Sequence, residues 1–354
     1  GINYGNNSGM AVTSMGNNTL TWETADQYDF GFDLGFWNGK LNMIADVYLK
    51  NTNNLLYSMP LHGTSGFTSI TNNIGSMRNY GVEFSINGHM NLGKVNWTSS
   101  FNISHNKNKL TKLLGDDLLP IGSNRALKVG EELGAFYLFQ MDGIYQYDGE
   151  VPQPLYDLGV RAGDVKYHDV DNNGIINDSD RVLTGSSNPD FFGGWNNTFK
   201  YKGFQLDVFF TYMYGNDVYA EWAVTATRPG YRMAITEDAA KNRWTAPGSS
   251  NKYPRAVNTL CGHNSKNSTR FLEDGSFIRL RSLTFSYTFP QVMLQKIRMK
   301  GLRLYVQGDN LLLFSKYSGW DPEVSKNMDP QYFGVDLYGV PPSRSVNFGI
   351  NLSF

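Results

Sequence analysis

The stretch "FGFDLGFWNGKLNMIADVYLK", Phe30 to Lys50, decides the fold. Phe30, Phe32, Leu34 and Phe36 share one face of an extended chain, and Gly31, Asp33 and Gly35 share the other. Side chains two apart lie on one side of a strand, so this spacing predicts a β-strand with one apolar face. Asn38-Gly39 follows, the sequence signal of a two-residue hairpin. Leu41, Met43, Ala45, Val47 and Leu49 then resume the alternation against Asn42, Asp46 and Tyr48.

The pattern returns down the chain. Val95, Trp97, Phe101 and Ile103 alternate with Asn96, Thr98, Ser100 and Asn102. Phe204, Leu206, Val208, Phe210 and Tyr212 alternate with Gln205, Asp207 and Thr211, and Leu283, Phe285, Tyr287 and Phe289 with Thr284, Ser286 and Thr288. The chain closes on Val346, Phe348, Ile350, Leu352 and Phe354 against Asn347, Gly349, Asn351 and Ser353. Less regular candidates lie at 81–88, 191–200 and 302–309, giving about nine strands.

A soluble sandwich also alternates, with its apolar face turned into a core. Three features favour a membrane barrel. The strands run about 9–11 residues, the length of a tilted bilayer crossing. Short turns are expected at 38–40, 88–94, 201–203 and 290–300, and long segments at 51–76, 107–189, 216–272 and 315–342. Short turns at one end and long loops at the other is the outer-membrane pattern, with turns periplasmic and loops extracellular. Asp33, Asp46 and Asp207 sit mid-strand between apolar neighbours, and the pleat turns all three to the polar side. An open strand edge in lipid leaves backbone groups unpaired, so nine strands predict the C-terminal part of a larger barrel.

Composition agrees. Aromatic residues make up 14% of the 354, and charged residues 18%, against roughly 25% in soluble domains. No run approaches the roughly 18 apolar residues of a spanning helix. A net charge of −1 with no basic run argues against nucleic acid as a partner. Cys261 is the only cysteine, which excludes an intramolecular disulfide and a cysteine metal cluster. The opening "GINYGNNSGM" carries no signal peptide, so a fragment or a mature piece is expected.

Several blocks together resemble the C-terminal half of SusC/RagA-like TonB-dependent transporters of the outer membrane of Bacteroidetes. They are "LTWETADQYDFGFDLGFWNGKLNMIADVYLKNTNNLL" (20–56), "NIGSMRNYGVEFSING" (73–88), "VGEELGAFYLFQMDGIYQ" (129–146), "GDVKYHDVDNNGIINDSDR" (163–181), "FLEDGSFIRLRSLTFSYTFP" (271–290), "YVQGDNLLLFSKYSGWDPEV" (305–324) and "PPSRSVNFGINLSF" (341–354). The resemblance implies a 22-stranded antiparallel barrel in the outer membrane of a Gram-negative bacterium, with an N-terminal plug absent from this chain, so that 1–354 is one portion of one barrel domain. It implies import of a glycan or oligopeptide under a SusD-like lipoprotein lid, driven by the TonB complex through the absent N-terminal part, and it admits a dimer of transporter–lipoprotein pairs. "NFGINLSF", ending on Phe354, resembles the terminal signal read by the barrel assembly machinery.

"DVDNNGIINDSD" (169–180) follows the twelve-residue calcium-loop pattern. Oxygen ligands are expected from Asp169, Asp171, Asn173, the Ile175 carbonyl, Asn177 and Asp180, with Gly174 at the sharp turn and Ile176 packed inward. Aspartate at the last position reaches less well than glutamate, so the loop resembles a dockerin-type site more than a sensor's. The competing reading is a polar turn without metal. With no flanking helices to open, the expected calcium is structural and stiffens an extracellular loop.

The long segments are rich in aromatics: Tyr219, Trp222, Tyr231, Trp244 and Tyr253 in one, Tyr317, Trp320, Tyr332, Phe333 and Tyr338 in another. Candidate cargo contacts are Trp222, Trp244, Tyr253, Tyr317, Trp320, Arg279 and Arg281. Rings of this kind also pack loops together or anchor a rim at the membrane interface. Arg279 and Arg281 alternate with Ile278 and Leu280, so both are expected to face the lumen and to meet cargo or plug acids. The histidines (His62, His89, His105, His168, His263) form no catalytic or zinc spacing, and no phosphate loop is present; an enzyme is not expected. A passive porin and a soluble calcium-dependent carbohydrate-binding sandwich are the alternative readings.

Overall fold

A computed structural model describes residues 2–4, 7–9, 12, 14–115, 118–230, 233–257, 262–295, 298–326 and 332–354. Among these, the main sheet has nine strands: β1 (Thr24–Phe36), β2 (Leu41–Pro60), β3 (Ser69–Leu92), β4 (Val95–Leu113), β5 (Phe191–Tyr201), β6 (Phe204–Tyr214), β7 (Phe277–Thr288), β8 (Gly301–Ser315) and β9 (Ser345–Ser353). Each strand pairs antiparallel with the next, so spatial order follows chain order from β1 to β9. No described helix is long and apolar enough to cross a membrane, which says nothing about crossing by strands.

The register turns alternation in sequence into two chemically distinct faces. Leu34, Met43, Ile86, Phe101, Trp195, Phe210, Leu280 and Leu312 form one row across β1 to β8. One residue along, Asp33, Ile44, Ser85, Asn102, Gly194, Thr211, Arg279 and Leu313 form a row on the opposite face. The first row is wholly apolar; the second is mostly polar. Large side chains on the apolar face lie open: Phe30 is 74% exposed, Phe348 82% and Ile350 65%. A soluble domain rarely leaves so broad an apolar surface uncovered, whereas a barrel needs one against hydrocarbon.

The turns sit at one end. Trp37, Asn38 and Gly39 all have positive φ, and the Lys202-Gly203 turn has φ of 47° and 88°. Paired left-handed residues give the turn twist that antiparallel strands require. Near these turns Phe204 packs on Tyr287 at 4.5 Å, and Tyr287 on Phe289 at 4.9 Å, an aromatic cluster on the apolar face. On the polar face Tyr305 lies across Gly349, where any side chain would collide with the ring.

The strands outrun the pattern that announces them. β2 has 20 residues and β3 has 24, so the segment expected as a loop at 51–76 is largely strand, and the connection is only 61–68. β4 likewise continues to Leu113. Ladder hydrogen bonds need no apolar face, so "NTNNLLYSMP" pairs with β3 without alternating. Register shifts around Leu55, beside the left-handed Asn54, further blur the period.

Candidate functional site: the loop layer above the wall

At the end opposite the turns, segments 114–190, 215–276 and 316–344 interlock. Leu118–Ile121, Arg125–Lys128, Ala135–Phe139 and Arg181–Ser186 form a four-stranded sheet from the first segment alone. A three-stranded sheet joins the other two: Asp217–Ala220 pairs with Leu272–Asp274 and, in parallel, with Val335–Asp336. The layer has apolar cores of its own. Phe136, Leu138, Val218, Tyr219, Phe271 and Val335 form one, drawing on all three segments. Phe139, Tyr145, Leu155, Val165, Tyr167 and Ile176 form a second. Ile74 on β3 and Leu110 on β4 pack with Leu127, fastening the layer to the wall.

The twelve-residue loop borders the second core. Carboxylate oxygens of Asp169, Asp171 and Asp180 lie within 4.8 Å of one another. Asn172 and Gly174 take left-handed backbone, and the Asn173 and Gly174 N–H groups donate to Asp169 at 3.2 and 2.7 Å. Burial pushes the Asp169 carboxyl up, but those backbone donors outweigh it and leave the group below its ordinary value. Asp180 is fully buried and accepts from the Val170 and Asn177 N–H groups at 2.9 and 2.8 Å. Ile176 is buried in the core, while Ile175 is exposed. Three converging carboxylates are a donor set suited to a hard cation such as calcium. The amide oxygens of Asn173 and Asn177 are engaged by the Ile175 and Ser179 N–H groups, at 2.7 and 2.8 Å.

The aromatic and arginine candidates separate by burial. Tyr317 is buried in the first core; its hydroxyl donates to Asp336 at 2.7 Å and accepts from Trp222 Nε1 at 3.1 Å. Tyr253 is buried too, and its hydroxyl donates to Asp238 at 2.5 Å. Trp244, half-buried, donates to Gln146 Oε1 at 3.1 Å. These four rings hold the loops to one another, and the buried faces of Tyr317 and Tyr253 are closed to cargo. Trp320 differs: it is 80% exposed. Tyr231 and Cys261 lie outside the described residues.

Arg279 and Arg281 do sit on the polar side, but their acids come from this chain. Arg279 is buried, 2.6 Å from Asp321 Oδ1 and 3.0 Å from Glu323 Oε2. Arg281, at a bulge where β7 slips register against β6 and β8, bonds both oxygens of Glu323 at 2.8 Å. The fragment "WDPE" (320–323) thus supplies the counter-charges, and buried Arg279 is spent on loop anchoring instead of cargo.

Other bonds in the layer leave no local trace in the sequence. Arg255 forks onto Asp164 through Nε and an Nη nitrogen, both at 2.9 Å, across 91 residues. Buried Arg125 donates to Ser187 Oγ at 3.2 Å and to the carbonyls of Gly134 and Phe333; burial lowers its pKa to about 10.

Residues 1–311 match the family model described as TonB dependent receptor-like, beta-barrel. The chain belongs to this family. It is 33% identical to the TonB-dependent receptor P3 of Formosa agariphila, over 98% of this chain and 36% of that protein. It is 29% identical to the TonB-dependent receptor SusC of Bacteroides thetaiotaomicron, over 96% of this chain and 32% of that one. Among solved structures, the RagAB peptide transporter superposes with a TM-score of 0.83 at 26% identity, covering 99% of this chain and 38% of the matched chain. The chain therefore spans about a third of the length of the relatives it matches.

Proposed function

We propose that this TonB-dependent barrel segment forms the C-terminal wall and the extracellular loop layer of an outer-membrane importer for a glycan or an oligopeptide. The observation that carries the reading is the two-faced nine-stranded wall with, among the described residues, a structured layer at the end opposite the short turns. An apolar outside and a polar inside suit a bilayer around a wet lumen. Loops with their own cores suit capture and gating better than a bare diffusive rim. The names SusC and RagAB, carried by its relatives, support a SusD-like lipoprotein as lid and TonB as the source of energy. Trp320, open on the layer, is the ring best placed to meet cargo or lid. On β9 the alternation ending at the exposed Phe354 supports its reading as the assembly signal.

The test is uptake by cells carrying the full-length gene, offered labelled oligosaccharides and oligopeptides. One class is expected to enter, and entry should stop when the gene is deleted or the proton gradient is collapsed. Entry that survives collapse of the gradient would mean a passive pore.

Calcium bound by Asp169, Asp171 and Asp180 would neutralise crowded carboxylates and stiffen residues 169–180 against the second core. Micromolar to millimolar calcium, the range spanned by loops of this type, is expected to protect the loop from protease. Asp171→Asn should weaken that protection about tenfold or more in calcium concentration. Identical cleavage in calcium and in chelator would contradict the assignment.

A further inference from the structure

The outer face of the wall carries a second feature, independent of the loop layer. Two rows cross β1 to β4 at the upper end of the apolar band. The lower is Tyr28, Leu49, Tyr80 and Lys107; the upper is Asp26, Asn51, Arg78 and Lys109. By the pleat, these residues share the face of Phe30, Phe32 and Val82. Three cations thus cluster on neighbouring strands, with Arg78 paired directly to Lys109 and Lys107 two residues along the same face. Arg78 Nε donates to Asn51 at 2.9 Å, which steadies the guanidinium without neutralising it. Among the described residues, none of the three cations has a carboxylate within ion-pair distance. Asp26 is the one acid in these two rows.

Beside Arg78 lies a shallow groove of about 510 Å³, lined by Tyr28, Phe30, Val47, Leu49 and Tyr80, and at its floor by Asp29 and Tyr48, a facing pair whose side chains the pleat turns to the other side of the sheet. Cations facing outward from a barrel, just above an apolar band and beside two tyrosines, stand where headgroups meet hydrocarbon. Tyrosine prefers that level because its ring is apolar and its hydroxyl is wet. A free anion would need the cations alone. A groove that starts at Arg78, beside its neighbours Lys107 and Lys109, and continues along the apolar face calls for a ligand with an acidic head and a greasy tail.

We propose that the outer face of β1–β4 is a binding site for a membrane lipid whose phosphate headgroup carries net negative charge. Its phosphate is held by Arg78, Lys107 and Lys109, and an acyl chain lies along Tyr28, Phe30, Val47 and Leu49. The site rests on the bilayer placement proposed above but on no property of cargo, lid or energy coupling. Such a lipid would brace the long β2–β3 extension where it leaves the bilayer.

The test uses the full-length protein purified in a non-ionic detergent and titrated with phosphatidic acid, phosphatidylcholine or inorganic phosphate, with bound lipid counted by native mass spectrometry. Phosphatidic acid is expected to bind at least about tenfold tighter than phosphatidylcholine. Replacing Arg78, Lys107 and Lys109 together by Gln should abolish that preference, and Lys50→Gln, on the opposite face of β2, should leave it intact. Val47→Asn, which roughens the groove without touching charge, should weaken phosphatidic acid but not inorganic phosphate. Equal affinity for the two lipids, or an unaltered preference in the triple variant, overturns the proposal. Displacement of phosphatidic acid by equimolar phosphate would reduce the site to a bare anion patch and overturns it too. A protein that stays folded in plain buffer without detergent would sink both this site and the bilayer placement, whereas failed uptake with intact lipid preference would sink only the importer.

Discussion

Phe32→Arg should destabilise the assembled barrel by about 2–4 kcal/mol, the cost of an arginine near the bilayer midplane. Phe32 stands in an outward row with Ala45, Phe84 and Ile103, all apolar. A guanidinium there has no acid to pair with and faces hydrocarbon. Asp33→Arg, one residue away, should change stability by no more than about 0.5 kcal/mol, the usual size for a solvated surface position. Asp33 looks the other way, in a row with Ser85 and Asn102. Urea unfolding of the full-length protein from lipid vesicles measures both variants, and heat-modifiable migration on a gel reports the folded fraction. Equal damage from the two substitutions would mean that the faces are assigned wrongly.

Arg279→Ala is expected to cost about 3–5 kcal/mol, released mainly as detachment of segment 316–344. The Arg279 and Asp321 side chains are 4% and 5% exposed, so deleting the cation leaves a buried carboxylate without its partner. The backbone Glu323 N–H, which donates to Asp321 at 2.8 Å, satisfies only one side of that carboxylate. Limited proteolysis should cut between 316 and 344 much faster in Arg279→Ala than in the parent. Arg281→Ala should cost at most about 1 kcal/mol, because its pair with Glu323 is one-third open to solvent and screened. Combining Arg279→Met with Asp321→Asn should recover part of the loss, since no lone charge is then buried. Unchanged proteolysis in Arg279→Ala would show that the three-stranded sheet holds the segment unaided.

The wall was legible in the sequence because lipid imposes a period of two on every strand that crosses it. Phe204 to Tyr212 and Val346 to Phe354 read as strands without further help, since each outward position must be apolar and each inward one need not be. The extensions of β2 and β3 were not legible, because "NTNNLLYSMP" pairs where neither face meets hydrocarbon and nothing enforces alternation. Charge partners were hidden for another reason. Arg279 meets Asp321 over 42 residues and Arg255 meets Asp164 over 91, and periodicity carries no information at such separations. Alternation placed Arg279 on the polar face and left its partner open between cargo and plug acids; in the structure it pairs with Asp321 and Glu323 of "WDPE". The twelve-residue loop announced its three converging carboxylates through spacing alone, since Gly174 and the Asx turns make that conformation local. Aromatic content said only that rings would cluster. Burial then divided them, closing Tyr317 and Tyr253 inside the layer and leaving Trp320 outside.

The central claim, that side chains two apart on β6 look into lipid while their neighbours look into water, is most directly measured by spin labels. Single cysteines at 204 through 210, in a cysteine-free background of the full-length protein in vesicles, would be probed by collision with oxygen and with a nickel chelate. Oxygen contact should peak at 204, 206, 208 and 210, and nickel contact at 205, 207 and 209. Nickel contact at all seven positions, or peaks with the opposite phase, would contradict the membrane wall and the account built on it.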